Sequence, residues 1–231
     1  MLPLDLYASI EEYLEFDEEV SYLYDTIKNI VVSKQPNTLI DIGCGQGEFC
    51  KLISSQGIQT TGVDLSSKQI EIASAKGVNA QCIDIKNIQE KHDCATAVFD
   101  VINYLPSGYI EEFLTHSYNL LNDGGYFIFD INSLYGFEEV AQGTLNIDLE
   151  DKFIAIDANF EDNTLYTDIT LFTQNGNCFS KNSGTIKQYY YRIDQLESIF
   201  ANIGFSVEKI VDFKLHESSE ADDKFIFILK K

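Results

Sequence analysis

Residues 38–49 read TLIDIGCGQGEF, and this stretch decides the fold. Leu39, Ile40 and Ile42 form a short apolar run broken only by Asp41, as expected of a strand buried in a parallel sheet. Directly behind it come Gly43, Gly45 and Gly47 at every second position. Glycines there can take positive φ and let a ligand approach the bare backbone. A helix is predicted from Glu48 to Gln56, stopped by Gly57. Strand, glycine turn and helix in that order place a ligand crevice at the carboxyl edge of a doubly wound sheet, facing N–H groups at a helix N-terminus.

Working outward, the same alternation continues. QTTGVD (residues 59–64) reads as a second strand, and Ser66 with Gln69 as a capping box for a helix ending at Gly77. AQCID and CATAVFD (residues 94–100) give a third and fourth strand. A helix from about Tyr109 to Asn122 buries Ile110, Phe113, Leu114 and Leu121, and Asn122-Asp123-Gly124-Gly125 turns into the strand YFIFDI. Upstream, Val20, Leu23, Tyr24, Ile27 and Val31 have helical spacing that Pro36 would stop. Downstream the period changes to two, and residues 133–191 read as a meander of three antiparallel strands turning at Asp162-Asn163 and Asn175-Gly176. Asp194 and Glu197 are expected to cap a helix ending at Gly204, before the closing strands FSVEKIVDF and KFIFILKK. The expectation is an α/β fold in a single domain, 1–231, with a helical lead-in 1–36 and a lid insertion 133–191.

Charge and composition exclude several function classes. The chain has 231 residues, 45% hydrophobic, and a formal charge of −21, which repels nucleic acid and anionic membranes. Seven acids and no base in the first twenty residues are the reverse of a signal peptide, and no apolar run approaches the ~20 residues of a membrane span. A cytoplasmic protein is expected. The five cysteines show no CxxC spacing, so neither a disulfide framework nor a metal site is expected.

The nature of the ligand follows from what the glycine turn lacks. A nicotinamide fingerprint needs glycine where Glu48 stands, and no Gly-Lys-Ser/Thr follows to make a P-loop. Asp64 ends the second strand about 20 residues after the first glycine, where a carboxylate accepts ribose hydroxyls. The ligand therefore carries a free ribose and no pyrophosphate.

These motifs, in this order, resemble those of class I S-adenosylmethionine-dependent methyltransferases of the small-molecule branch, over Thr38 to Asp130 and again from Tyr189 onward. The resemblance implies a seven-stranded, mostly parallel sheet in the order 3-2-1-4-5-7-6, with strand 7 antiparallel and a β insertion after strand 5. It implies that Asp41, Gly43, Cys44, Gly45 and Gly47 hold the methionine part of S-adenosyl-L-methionine. Asp64 and Leu65 then serve the ribose, and Asp84 with the Ile85 backbone the adenine. Phe99 and Asp100 stand beside the cofactor, and Asn103 and Tyr104 face the reaction centre. The products are S-adenosyl-L-homocysteine and a small molecule methylated on N or O. Two departures stand out: no Lys or Arg precedes Lys28, leaving Tyr22, Tyr24 or backbone amides for the cofactor carboxylate, and Cys44 reads as a small loop-filling residue.

An activated methyl group needs alignment more than acid–base help, so a general base is optional. Asp100, Asp130 or a lid tyrosine are candidates, while His92, His116 and His216 read as surface or packing residues. Tyr189, Tyr190 and Tyr191 could line an acceptor pocket, and Arg192, the single arginine, could hold an anionic handle or make a surface ion pair. The acidic balance favours a neutral or cationic acceptor, and the protein is expected as a monomer or homodimer. The competing reading is a noncatalytic subunit that binds the cofactor or a partner protein without an open acceptor site.

Overall fold

The computed structural model describes residues 3–14 and 16–231; residues 1, 2 and 15 of the expected lead-in lie outside the described residues. The lead-in comprises helix α1 (Pro3–Tyr7) and helix α2 (Asp17–Ser33). Five parallel strands follow, β1 (Thr38–Ile42), β2 (Gln59–Asp64), β3 (Ala80–Cys82), β4 (His92–Ala97) and β5 (Leu121–Asn132), with helices α3 (Glu48–Ser54), α4 (Ser67–Ala75) and α5 (Ile110–Asn119) between them. Next come β6 (Gly143–Asp148), β7 (Lys152–Glu161), β8 (Thr164–Asn175) and β9 (Cys178–Tyr189), then α6 (Ile193–Ile203), β10 (Ser206–Phe213) and β11 (Lys224–Lys230).

The seven-stranded sheet has the order β10-β11-β5-β4-β1-β2-β3, with β11 antiparallel to both neighbours, which is the expected topology. Side chains alternate across it. Ile40, Ile42, Phe127 and Phe129 pack with Leu114, Leu196 and Phe200 on one face. Leu39, Ile128 and Ile226 pack with Leu23, Ile27 and Val31 of α2 on the other. Asp41 and Asp130 occupy that second register, each at the carboxyl end of its strand. Among the described residues, no helix is long and apolar enough to cross a membrane.

Several expected boundaries move, each for a local reason. β4 stops at Ala97 instead of Asp100, because Phe99 and Asp100 adopt φ of +68° and +66°. The insertion holds four strands, not three: β6 is almost wholly exposed and carries only two alternating apolar residues, Leu145 and Ile147, too short a pattern to read. Asp162 and Asn163, at φ +49° and +59°, make the expected primed turn, but Asn175 pairs with Cys178, so the second turn is Gly176-Asn177. Arg192, not Asp194, occupies the N-cap position of α6, and Asp194 accepts from Arg192 Nε and Nη2 at 3.0 and 2.8 Å. The capping box at α4 is half made: Ser66 Oγ accepts from the Gln69 amide at 3.2 Å, while the Ser66 amide donates to Asp64 instead of to the Gln69 side chain.

β6 to β9 form a separate antiparallel sheet in the order β6-β7-β8-β9. Its apolar face, with Ile154, Ile169, Leu171 and Ile186, packs against Leu6, Ile10 and Leu14 of the lead-in.

Candidate active site

The glycine turn is built by close approaches on all sides. The amides of Gly43 and Cys44 donate to the Val63 carbonyl at 2.8 and 3.0 Å, tying the turn to the end of β2. Gly43 has φ +72°, and a Cβ there would lie 2.7 Å from Val101 Cγ2. Behind the turn, a Cβ on Gly62 would come within 2.7 Å of Cys44 Sγ and 2.9 Å of Cys50 Sγ, so both thiols fill space. Neighbouring Cys44 and burial push the Cys50 thiol well up, which keeps it protonated and unreactive. Asp64 Oδ2 accepts from the Gly45 amide at 3.0 Å and Oδ1 from the Ser66 amide at 2.8 Å. Each oxygen keeps a further acceptor site, and the carboxylate cannot turn away from the crevice.

Asp41 lies behind this surface. Thr96 Oγ1 donates to it at 2.7 Å and Cys50 Sγ at 3.4 Å. Burial pushes its carboxyl up to about 7 against those two bonds, with the Asp64 charge adding to the rise.

In front of the turn opens a cavity of about 480 Å³. Gly43, Cys44, Gly45, Asp64 and Leu65 form one side of it; Asp84, Ile85 and Phe99 form another. Tyr7, Glu11, Tyr24 and Tyr104 close it from the lead-in and the turn after β4. Asp41, Gly47, Asp100, Asn103 and Asp130 are not among its walls. Asp84 turns toward its own 3₁₀ turn, accepting from the Lys86 amide at 3.0 Å and pairing with Lys86 Nζ at 3.0 Å. Gln69 Oε1 is buried in the wall with no hydrogen-bond partner among the described residues. An orphaned buried acceptor beside a cavity calls for a ligand donor.

A second cavity, about 390 Å³, adjoins the first, and Tyr7 and Phe99 belong to the walls of both. Its roof is the underside of the four-stranded sheet, with Ile156, Leu165 and Ile169; its floor is Asp100, Asn132 and Lys224. Lys224 Nζ is buried and bonds Asp100, Asp130 at 3.0 Å and Asn132 at 2.9 Å, and lies 5.4 Å from the Phe99 ring centre. Burial alone would push the ammonium down, but the two carboxylates outweigh it and hold it above its ordinary value. Asp130 accepts from the amides of Phe99 and Asp100 at 2.6 and 3.3 Å, pinning that left-handed pair. Burial pushes Asp130 up to about 6, with Lys224 pulling down and Asp100 pushing up.

The remaining sequence candidates separate cleanly. Asn103 is a buried brace, donating to the Tyr189 carbonyl at 2.9 Å and accepting from the Asn132 amide at 3.0 Å. Tyr191 bonds the Leu105 carbonyl and Tyr190 packs edge-on to Phe137; none of Tyr189, Tyr190 and Tyr191 lines either cavity. Arg192 makes the surface ion pair with Asp194. Tyr22 is exposed and stacks on Phe213, whereas Tyr24 reaches the first cavity. His92 is buried in β4, His116 touches the first cavity, and His216 lines the second. Lys224 and Asp223 were not legible as site residues; the available signal is a base opening strand β11 ahead of the apolar run Phe225–Leu229, directly opposite Asn132 of β5.

Comparisons with known proteins bear on what this site is for. The family model of methyltransferase domains matches residues 15–210. A protein of Geobacillus sp. provisionally named a methyltransferase is 27% identical over 208 residues, 84% of each chain. The crystal structure of an S-adenosylmethionine-dependent methyltransferase from Clostridium acetobutylicum matches with a TM-score of 0.77 at 23% identity, covering 98% of this chain and 96% of that one. The sugar N-methyltransferase KedS8 from Streptoalloteichus matches with a TM-score of 0.73 at 13% identity, covering 97% and 92%. At those identities the two structures speak to the fold, and the family match carries the rest: this chain belongs to the methyltransferase domain family.

Proposed function

We propose that this protein transfers the methyl group of S-adenosylmethionine to a nitrogen or oxygen of a small molecule bound beneath the four-stranded sheet. The observation that carries the reading is the pair of adjoining cavities that share Phe99 and Tyr7, one built on the glycine turn and Asp64, the other under the lid. The residues present fit the cofactor. Asp64 presents fixed acceptors for ribose hydroxyls, the turn offers backbone amides, Gln69 Oε1 awaits a donor, and the Ile85 backbone flanks the space for adenine. When bound, the cofactor supplies a sulfonium-activated methyl group. Lys224 offsets only one of its two carboxylate partners, so the side of Phe99 nearest the second cavity carries excess negative charge, which suits a cationic ligand. Tyr7 and the lead-in cover the junction of the cavities and exclude water there. A second cavity next to the one on the glycine turn speaks for an acceptor and against a subunit that only binds. The fold shared with the sugar-modifying KedS8 supports a small-molecule acceptor.

Titration calorimetry tests the cofactor site. Asp64→Ala is expected to weaken S-adenosylmethionine binding by about 1.5–3 kcal/mol, roughly 10- to 150-fold, with the fold intact. Unchanged affinity overturns the placement. Gln69→Leu is expected to weaken the same binding by about 0.5–1.5 kcal/mol while leaving the free protein equally or more stable, since it removes an acceptor that is unpaired without ligand. A loss of stability in Gln69→Leu without a change in affinity would assign that side chain to packing instead.

A further inference from the structure

Resting on the reading above, we infer that His216 is the general base of the reaction and that the acceptor atom is a hydroxyl oxygen.

The side chain is held for that role by Asp223. This carboxylate, only 2% exposed, accepts from the Leu215 amide at 2.6 Å, the His216 amide at 3.1 Å and Ser219 Oγ at 3.0 Å, and its Oδ2 lies 2.9 Å from His216 Nδ1. Burial would raise the carboxyl, but those bonds prevail and hold it below its ordinary value, so it is ionised. An ionised carboxylate can only accept, so Nδ1 carries the proton between them, and in the neutral imidazole Nε2 is the nitrogen left with a lone pair. His216 is half-buried, and both it and Asp223 line the second cavity.

Among the described residues, no other titratable group facing that cavity is as well placed. Asp100 is engaged by Lys224, and Lys224 also by Asp130 and Asn132. Burial, with Glu11 and Asp100 nearby, pushes the Tyr7 phenol up and keeps it protonated. Glu19 of α2 also borders the cavity, but no hydrogen bond among the described residues fixes its direction. An imidazole suits a proton transfer at neutral pH better than a carboxylate, whose conjugate acid is far stronger. An amine acceptor that arrives unprotonated needs no base during transfer, whereas a hydroxyl does. The acceptor O–H bond breaks, its proton passes to Nε2, and an oxygen lone pair forms the new bond to the methyl carbon. The carbon–sulfur bond breaks with its electron pair left on sulfur, giving the neutral thioether. The imidazolium is stabilised by Asp223 until its proton leaves to solvent.

Two measurements test this, one of them without any acceptor. The protein is treated with methyl 4-nitrobenzenesulfonate and digested for peptide mass spectrometry. Methylation of His216 at Nε2, at least tenfold faster than at buried His92, is expected; an unmodified His216, or modification at Nδ1, overturns the tautomer and with it the role. In parallel, wild type and His216→Gln receive methyl-labelled S-adenosylmethionine and the small-molecule fraction of a bacterial cell extract. His216→Gln should lose about 10²- to 10⁴-fold of the transfer at pH 7 and bind the cofactor within twofold of wild type. Labelled product should be a methyl ether. Undiminished transfer by His216→Gln, or a labelled amine, overturns this inference alone; wild type that fails to bind S-adenosylmethionine overturns the proposed function instead.

Discussion

Lys224→Met will destabilise the protein by about 3–5 kcal/mol at pH 7, the cost of stripping the partner from a buried ion pair. The size follows from where the charges sit. The Asp130 side chain is wholly buried and that of Lys224 nearly so, and the two carboxylates share one ammonium. Methionine fills the same volume but leaves Asp130 and Asp100 facing each other without a cation. Urea unfolding at several pH values checks the result. Because the variant's carboxyls will hold their protons more tightly when folded than when unfolded, the deficit should shrink as pH falls toward about 4, below which both states bind those protons. Adding Asp130→Asn should restore part of the loss at pH 7. A deficit under 1 kcal/mol that does not vary with pH would mean that these charges are hydrated, not enclosed.

Asp41→Asn is expected to act in the opposite direction. The carboxyl is pushed up to about 7 by burial, against about 3.9 in an unfolded chain, so the folded protein binds more protons in between. Stability therefore falls as pH rises from about 4 to 7, and above that the whole penalty is present. Asparagine resembles the protonated side chain and can still accept from Thr96 and meet Cys50. Thermal unfolding should show the variant more stable by on the order of 3 kcal/mol at pH 8.5 and nearly equal to wild type at pH 4. An equal gain at both pH values would show that the carboxyl ionises freely. Calorimetry on the same variant reads whether Asp41, though behind the cavity wall, contributes to cofactor affinity.

The strand–helix alternation and the glycine turn were legible because each rests on a local rule, apolar runs and positive-φ residues, whereas the sheet order came from the resemblance of the motifs to a known family. What was not legible depends on contacts that only the folded chain makes. Lys224 acquires meaning only through Asp100, 124 positions away, and His216 only once the loop between β10 and β11 folds over Asp223. Phe99 and Asp100 look like the end of a strand, but the Asp130 carboxylate draws their amides into a left-handed turn, a tertiary override of local preference. β6 failed for a simpler reason: its six residues hold only two apolar side chains, Leu145 and Ile147, too few to mark a hydrophobic period. The lid tyrosines at 189–191 pointed to a pocket by composition, yet the fold spends them on packing.

The four-stranded sheet is hydrogen-bonded to no strand of the seven-stranded one. Changes on its underside, at Ile156, Leu165 or Thr167, alter the roof of the second cavity without disturbing the ladder that carries the glycine turn. Under the proposed function, selectivity can thus drift while methyl-donor affinity stays put, and grafting residues 143–189 from a relative is the direct way to build a chimera with a new taste in acceptors.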